Sequence, residues 1–338
     1  MGISPADWHR PLEAAFAGAR VLVTGGVGFI GSMLSARLLA LGAEVAIYDS
    51  LDPDGGANPA NIASFRDRVR LTVGDVRDTG SLAPLIEGRA YLFNLAGRTS
   101  HMGSLEKPVD DLEVNALAQL RLLELCRTVN PGLVIVHAGT RQIYGRPDAL
   151  PVDESHPVRP PDPNAVAKHA GEAYHLLYHR LYGLATVSLR LTNTYGPGLR
   201  IKDDRQAFLG VWVRRVLQGE PIEVWGGEQR RDLAYVEDVA DAFLLAAIAP
   251  EARGRAFNIG AGPSLSLGEL AQLMIAANGG GSVRVLPFPS DRRRIDIGDY
   301  EADDRAFRAV TGWAPRTMLA DGLKRTFDYY RSRRGDYL

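Results

Sequence analysis

The stretch Val21-Leu22-Val23-Thr24-Gly25-Gly26-Val27-Gly28-Phe29-Ile30-Gly31 leaves a chain few ways to fold. Its apolar, β-branched start reads as a buried parallel strand. Three glycines at intervals of three then each have a separate reason to lack a side chain. Gly25 permits a tight turn out of the strand, Gly28 lets a diphosphate approach the backbone, and Gly31 lets the next helix pack closely on the sheet. That helix is expected over Ser32–Leu41. Its start offers the backbone amides of Phe29, Ile30 and Gly31, and a partial positive charge, to an anion. The order strand, glycine turn, helix separates a dinucleotide-binding turn from a chance glycine pattern.

The second strand, Ala43–Tyr48, ends at Asp49. A carboxylate roughly twenty residues past the glycines is placed to accept hydrogen bonds from the adenosine ribose and to repel a 2′-phosphate, so NAD is expected rather than NADP. The third strand, Val69–Val73, leads to Asp75, which can receive the adenine amino group, and to Val76, which can press on the ring. The fourth, Tyr91–Leu95, runs into Ala96-Gly97, where a pyrophosphate and ribose can lie against backbone. A long helix is expected over Leu112–Val129 and a fifth strand over Leu133–His137. Alternating units of this kind define an α/β fold, a Rossmann-type doubly wound parallel sheet. The 338 residues leave room for a smaller C-terminal substrate-binding lobe. We expect residues 18–192 to form the NAD-binding domain, with 233–262 returning to it, and 193–232 and 263–335 to form the lobe. Residues 1–18 form a preface that Trp8 and Phe16 can dock.

A net charge of −1 gives no basic excess to suggest nucleic acid or an anionic membrane as partner. The single cysteine, Cys126, excludes an intrachain disulfide and a four-cysteine metal site. No metal is expected. No long apolar run or cleavable leader is apparent, so the expected location is cytoplasmic.

Further blocks make the pattern specific: Asp75, Thr140, Tyr144-Gly145, Leu189 to Pro197, and Gly226 to Ala240. With the glycine turn, they resemble the extended short-chain dehydrogenase/reductase superfamily, and more narrowly its NAD-dependent epimerase/dehydratase family, which modifies nucleotide sugars. The resemblance covers roughly residues 20–330. It implies chemistry that begins with hydride removal from a sugar carbon while a base takes the hydroxyl proton. Thr140 matches the residue that binds that hydroxyl. Lys168 matches the lysine that anchors the nicotinamide ribose. Asn193, Arg231 and Arg293 match residues that hold the substrate diphosphate, with Asp232 placed to orient Arg231. The helix expected over Ala165–Tyr182 and its neighbour over Leu112–Val129 match a four-helix homodimer interface.

Two positions depart from the family pattern. Four residues before Lys168 the family has its catalytic tyrosine; this chain has Asn164, whose amide cannot act as a base near neutral pH. Substitutes within reach by family geometry are His101, Tyr144 and His169, of which His101 is preferred. His169 is expected to point away from Lys168. Different chemistry on a bound sugar nucleotide, and an impaired binding protein, are the other readings. After Thr140, where dehydratases carry an aspartate and a glutamate, the chain has Arg141 and Gln142. This disfavours 4,6-dehydration. Arg141 can contact a substrate carboxylate or form a salt link to Asp148 or Asp153. The expected activity is epimerisation of a nucleoside diphosphate-sugar at C4 through a keto-sugar; decarboxylation of the UDP-glucuronate type is the alternative.

Overall fold

The computed structural model describes residues 8–52, 54–203, 208–290 and 295–338. Within them, seven strands form one parallel sheet: β1 (Arg20–Thr24), β2 (Glu44–Asp49), β3 (Arg70–Val73), β4 (Tyr91–Asn94), β5 (Val134–Thr140), β6 (Ala185–Leu191) and β7 (Arg255–Ile259). Their order is β7-β6-β5-β4-β1-β2-β3. The chain reverses its direction of travel across the sheet between β1 and β4, which opens a crevice at the carboxyl ends of these strands. Asp49, Ala96 and Thr140 all stand at or just past those ends.

Helices cover the sheet and build a second layer beside it. They are α1 (His9–Phe16), α2 (Phe29–Ala40), α3 (Thr79–Ile86), α4 (His101–Glu106), α5 (Pro108–Leu112), α6 (Ala118–Val129), α7 (Pro163–Tyr182), α8 (Phe208–Gln218), α9 (Val236–Ile248), α10 (Leu267–Asn278), α11 (Arg305–Thr311) and α12 (Leu319–Arg331). Trp8 and Phe16 are buried in the same core as β1, α2 and α9, so the described part of the preface, from Trp8 on, is packed onto the body. A second core joins Trp212 and Val216 of α8 to Ile222, Met274 of α10 and Phe327 of α12.

Three elements differ from their sequence expectation. Helix α2 starts at Phe29, not Ser32, because Gly28 is extended and serves as its N-cap. The helix expected over Leu112–Val129 is three pieces: the end of α5, a π turn over Glu113–Leu117, and α6. In that widened turn Asn115 turns inward and clasps Arg98, accepting from its N–H at 3.0 Å and donating to its carbonyl at 3.1 Å. Single π turns of this kind recur at functional sites. Finally, β5 continues to Thr140, because its pairing with β6 runs through to Leu191.

Candidate active site

The glycine turn is built for a close approach. Gly25 has φ +70°, and a Cβ there would lie 2.9 Å from the Ala96 nitrogen. A Cβ on Gly31 would strike the Gly25 carbonyl oxygen at 2.2 Å, so no side chain fits where α2 meets the turn. No side chain caps α2, and its first amides stay open to an anion. Above Gly28 a Cβ would meet only backbone, at 3.2 and 3.8 Å. Asp49 is buried at the end of β2 and accepts from the amides of Val27 at 2.9 Å and Leu51 at 3.0 Å. Burial raises its pKa despite these bonds. Each carboxylate oxygen retains a lone pair for a ribose hydroxyl. This donor set fits a dinucleotide.

At the adenine end, Asp75 is gripped by its neighbour. Arg77 donates to it at 3.0 and 2.7 Å and also reaches Glu113 at 3.0 Å, and these hydrogen bonds keep the Asp75 carboxyl below its usual range. Val76 is buried against the core that contains Tyr48 and Leu82. The Ala96 amide donates to the Thr24 hydroxyl at 3.3 Å.

Two polar clusters flank the start of α7. In the first, Asp162 caps α7, accepting from the Ala165 amide at 2.8 Å and from the Gln142 side chain at 3.3 Å. His101 Nδ1, at the start of α4, lies 2.9 Å from Asp162 Oδ2. Burial opposes ionisation of Asp162, but His101 and the bonds from Ala165 and Gln142 together outweigh it, and the carboxyl lies below its usual range. The Gln142 amide in turn donates to the Thr140 hydroxyl at 3.2 Å. One chain of contacts therefore joins Thr140, Gln142, Asp162 and His101.

In the second cluster Asn164 is buried and committed. Its amide donates to the Arg98 carbonyl at 2.9 Å and to Asp111 Oδ1 at 2.7 Å, and Asn115 donates to the same oxygen at 2.6 Å. Lys168 lies alongside: a Cβ on Gly97 would fall 3.2 Å from its Nζ and 2.8 Å from Asn115 Oδ1. Burial lowers the Lys168 pKa, and the Asp111 carboxylate resists that shift.

The other proposed bases are placed elsewhere. Tyr144 is fully buried, donates to Asn258 at 2.7 Å, accepts from Arg190 at 2.6 Å, and is pushed up to about 12 by burial. It is a core hydroxyl. His169 Nδ1 faces Glu172 at 3.8 Å, along its own helix.

On the substrate side, Arg141 forms neither expected salt link. Asp148 pairs with Arg159 at 2.7 Å, and Asp153 accepts from Ser155. Arg141 instead donates to Asn193 Oδ1 at 2.6 Å and lies over the Tyr300 ring, 4.9 Å from its centroid. Arg231 is buried, bonds the carbonyls of Arg230 and Gly298, and reaches Asp296 at 3.4 Å. Asp232, expected to orient it, instead accepts from the Thr192 hydroxyl and the Ala302 amide. Arg293 lies outside the described residues. A cavity of about 660 Å³ opens beside this region, lined in part by Asp296, Gly298, Glu228 and Arg146.

Four residues of the site escaped the sequence reading. Asp162 was findable, since Asp before Pro at a helix start is a capping signal. Asp111, Asn115 and Tyr300 are brought in by tertiary structure and carry no local signal. Among the described residues, no group of His, Cys, Asp and Glu could hold a metal ion, and no helix is long and apolar enough to cross a membrane.

A crevice at the switch point of a parallel sheet, an uncapped glycine turn and an acidic residue closing β2 define a nucleotide-cofactor enzyme fold. The family model described as "NAD dependent epimerase/dehydratase family" matches residues 21–260, and the chain belongs to that family. A UDP-glucose 4-epimerase of Mycolicibacterium smegmatis is 33% identical, over 93% of this chain and 99% of the relative. A dTDP-glucose 4,6-dehydratase from Streptomyces venezuelae, solved with NAD bound, superposes with TM-score 0.85 at 30% identity, covering 94% of this chain and 98% of that one. A UDP-glucose 4-epimerase from Thermotoga maritima, solved with UDP-glucose, gives 0.84 at 28% identity, covering 93% and 99%. NAD is the cofactor of the family, and the glycine turn and Asp49 are the residues here that suit it. These relatives share a fold and cofactor class but differ in reaction, so the reaction must be argued from the site.

Proposed function

We propose that the protein is a nucleotide-sugar 4-epimerase in which His101 replaces the missing tyrosine as the base. The observation that carries this reading is the 2.9 Å contact between His101 Nδ1 and the Asp162 carboxylate. The contact lacks hydrogen-bond geometry, but a carboxylate this close to Nδ1 favours the tautomer with its proton there, which leaves the Nε2 lone pair to accept the sugar hydroxyl proton. Asp162 then stabilises the imidazolium. The His101 side chain is one-third exposed, so the ring is accessible at the cleft.

The remaining roles follow from position. Thr140 orients the reacting hydroxyl. Lys168 anchors the nicotinamide ribose and contributes positive charge, with Asp111 as its counter-charge. Asn164 keeps Arg98 and Asp111 in place rather than moving a proton. NAD, when bound, supplies the hydride acceptor and later the donor. His101 returns its proton as the keto-sugar is reduced on its other face, so the net change is inversion alone. Asn193, Arg231 and Arg293 hold the diphosphate. We assign residues 18–192 and 233–262 to the cofactor domain, and 193–232 and 263–335 to the substrate lobe. Exposed Val109, Leu112 and Leu117 beside α6, and exposed Val166, Leu181 and Tyr182 on α7, support a homodimer through a four-helix interface.

The test is turnover of UDP- and dTDP-sugars by the NAD-loaded protein, with product mass and configuration determined. His101→Ala should lower kcat by about 10²–10⁴-fold, the usual contribution of a general base. A change within about threefold excludes His101 as the base. Asn164→Tyr separates this reading from an impaired protein: a gain of similar size on restoring tyrosine shows that the native site lacked a base.

A further inference from the structure

Arg141 is buried, and no carboxylate among the described residues hydrogen-bonds it, although Asp232 and Asp296 attract it from nearby. One arm of its guanidinium is used on a neutral acceptor, Asn193 Oδ1 at 2.6 Å. The other, Nη1, is buried without a partner. Its plane rests on Tyr300, whose buried hydroxyl also has no partner. The adjacent charge is Arg231, a second buried guanidinium that repels it. Asp232 is close enough to attract it, but the Asp232 oxygens already accept from Thr192 and Ala302. Burial and Arg231 together push Arg141 down to about 10. A buried cation with an open N–H, beside an open hydroxyl, calls for an anionic ligand.

We propose that Arg141 is the receptor for a carboxylate on the sugar, which makes the substrate a nucleoside diphosphate-hexuronate. This rests on the nucleotide-sugar reading above. Arg141 bonds Asn193, a residue assigned to the substrate diphosphate, which puts it on the substrate side of the cleft. Its planar fork suits a carboxylate oxygen at Nη1, and the Tyr300 hydroxyl is a second donor on the same stack. The assignment also chooses between the two reactions. Loss of carbon dioxide requires the carboxylate charge to leave into the ring, and a guanidinium that stabilises the ionised carboxylate opposes that step. Inversion leaves the carboxylate intact.

The experiment is calorimetric titration of the NAD-loaded protein with UDP, UDP-glucose and UDP-glucuronate, and with the dTDP series where that base binds better. Glucuronate should bind about tenfold or more tighter than glucose, the value of one charged hydrogen bond. Arg141→Met should abolish this advantage and leave UDP within about threefold of wild type. Equal wild-type affinity for the two sugars overturns the proposal and leaves the nucleotide-sugar reading standing. Equal weakening of UDP itself in Arg141→Met reassigns the arginine to the diphosphate. Failure of every nucleotide to bind removes both readings. The wild-type comparison stands whether or not the variant folds, and product mass decides between inversion and decarboxylation.

Discussion

Arg190 and Arg141 are buried to nearly the same degree, at 7% and 9% exposed, yet their surroundings are opposite. Arg190 donates to both oxygens of Glu172 at 2.7–3.1 Å and to the Tyr144 hydroxyl, and Tyr144 passes the chain on to Asn258. Every strong group in that layer is matched. Arg141, on the turn after the neighbouring strand, has an amide, an aromatic face and a second arginine around it, with Asp232 and Asp296 near but not bonded to it. Two guanidiniums on one sheet edge therefore do different work. The matched one ties β6 to α7 and closes the core. The unmatched one is a vacancy in the hydrogen-bond pattern, shaped for something the chain does not contain.

The largest expected effect comes from unmatching the matched layer. Glu172→Ala leaves Arg190 buried without its anion and should cost about 3–5 kcal/mol of stability. Arg141→Met, by contrast, removes a charge to which the nearby carboxylates of Asp232 and Asp296 make no bond, and should cost far less. Urea unfolding of the two variants beside wild type checks the contrast. Equal losses would show that Arg141 is a structural arginine after all.

Asp232 sharpens the comparison on the open side. Burial pushes this carboxyl up to about 6, outweighing the bonds from Thr192 and Ala302. Because the folded pKa lies above the unfolded one, the folded state binds the proton more tightly. Its contribution to stability is present below pH 4 and lost as pH rises toward 6. The full difference is at most about 3 kcal/mol. Asp232→Asn should flatten the fall in stability between these limits, measured as the urea midpoint against pH. An unchanged pH profile would mean that a different group carries the proton.

The legible features were those constrained close by in sequence. The turn from Val21 to Gly31 could be read because part of its backbone constraint is written locally: Gly31 answers to the Gly25 carbonyl six residues before it, although Gly25 answers to Ala96 across the sheet. Arg231 and Asn193 were singled out through a family pattern. What the sequence hid were pairings made across the fold. Tyr144 could be proposed as a base because nothing near it in sequence reveals Arg190 and Asn258. Asp232 was expected to orient Arg231, but it lies just past the two-residue strand that carries Arg231, and each found its partner elsewhere. Asn164 was visible as a departure, while its reason, the Asp111 oxygen it shares with Asn115, depends on a π turn that apolar spacing did not indicate.

A finer test uses two hydroxyls. Tyr144→Phe removes a group that both donates to Asn258 and accepts from Arg190. Both partners are then left buried and short of one bond, at a cost of about 1–3 kcal/mol. If Tyr144 is a core hydroxyl rather than a base, kcat should stay within about threefold, well short of the loss expected for a base.

Tyr300→Phe removes a hydroxyl with no partner, so the sign should reverse. Deleting an unsatisfied buried donor relieves a desolvation penalty, and the ring still supports Arg141, which lies 4.9 Å from its centroid. Stability should rise by up to about 1 kcal/mol in the absence of ligand. The gain should disappear, or invert, when a hexuronate nucleotide is present, because the hydroxyl then has an acceptor and its loss weakens binding. Thermal midpoints with and without UDP-glucuronate measure both halves. A variant that is destabilised without ligand would show that the hydroxyl is already satisfied inside the fold. The open side would then be reduced to Arg141 alone.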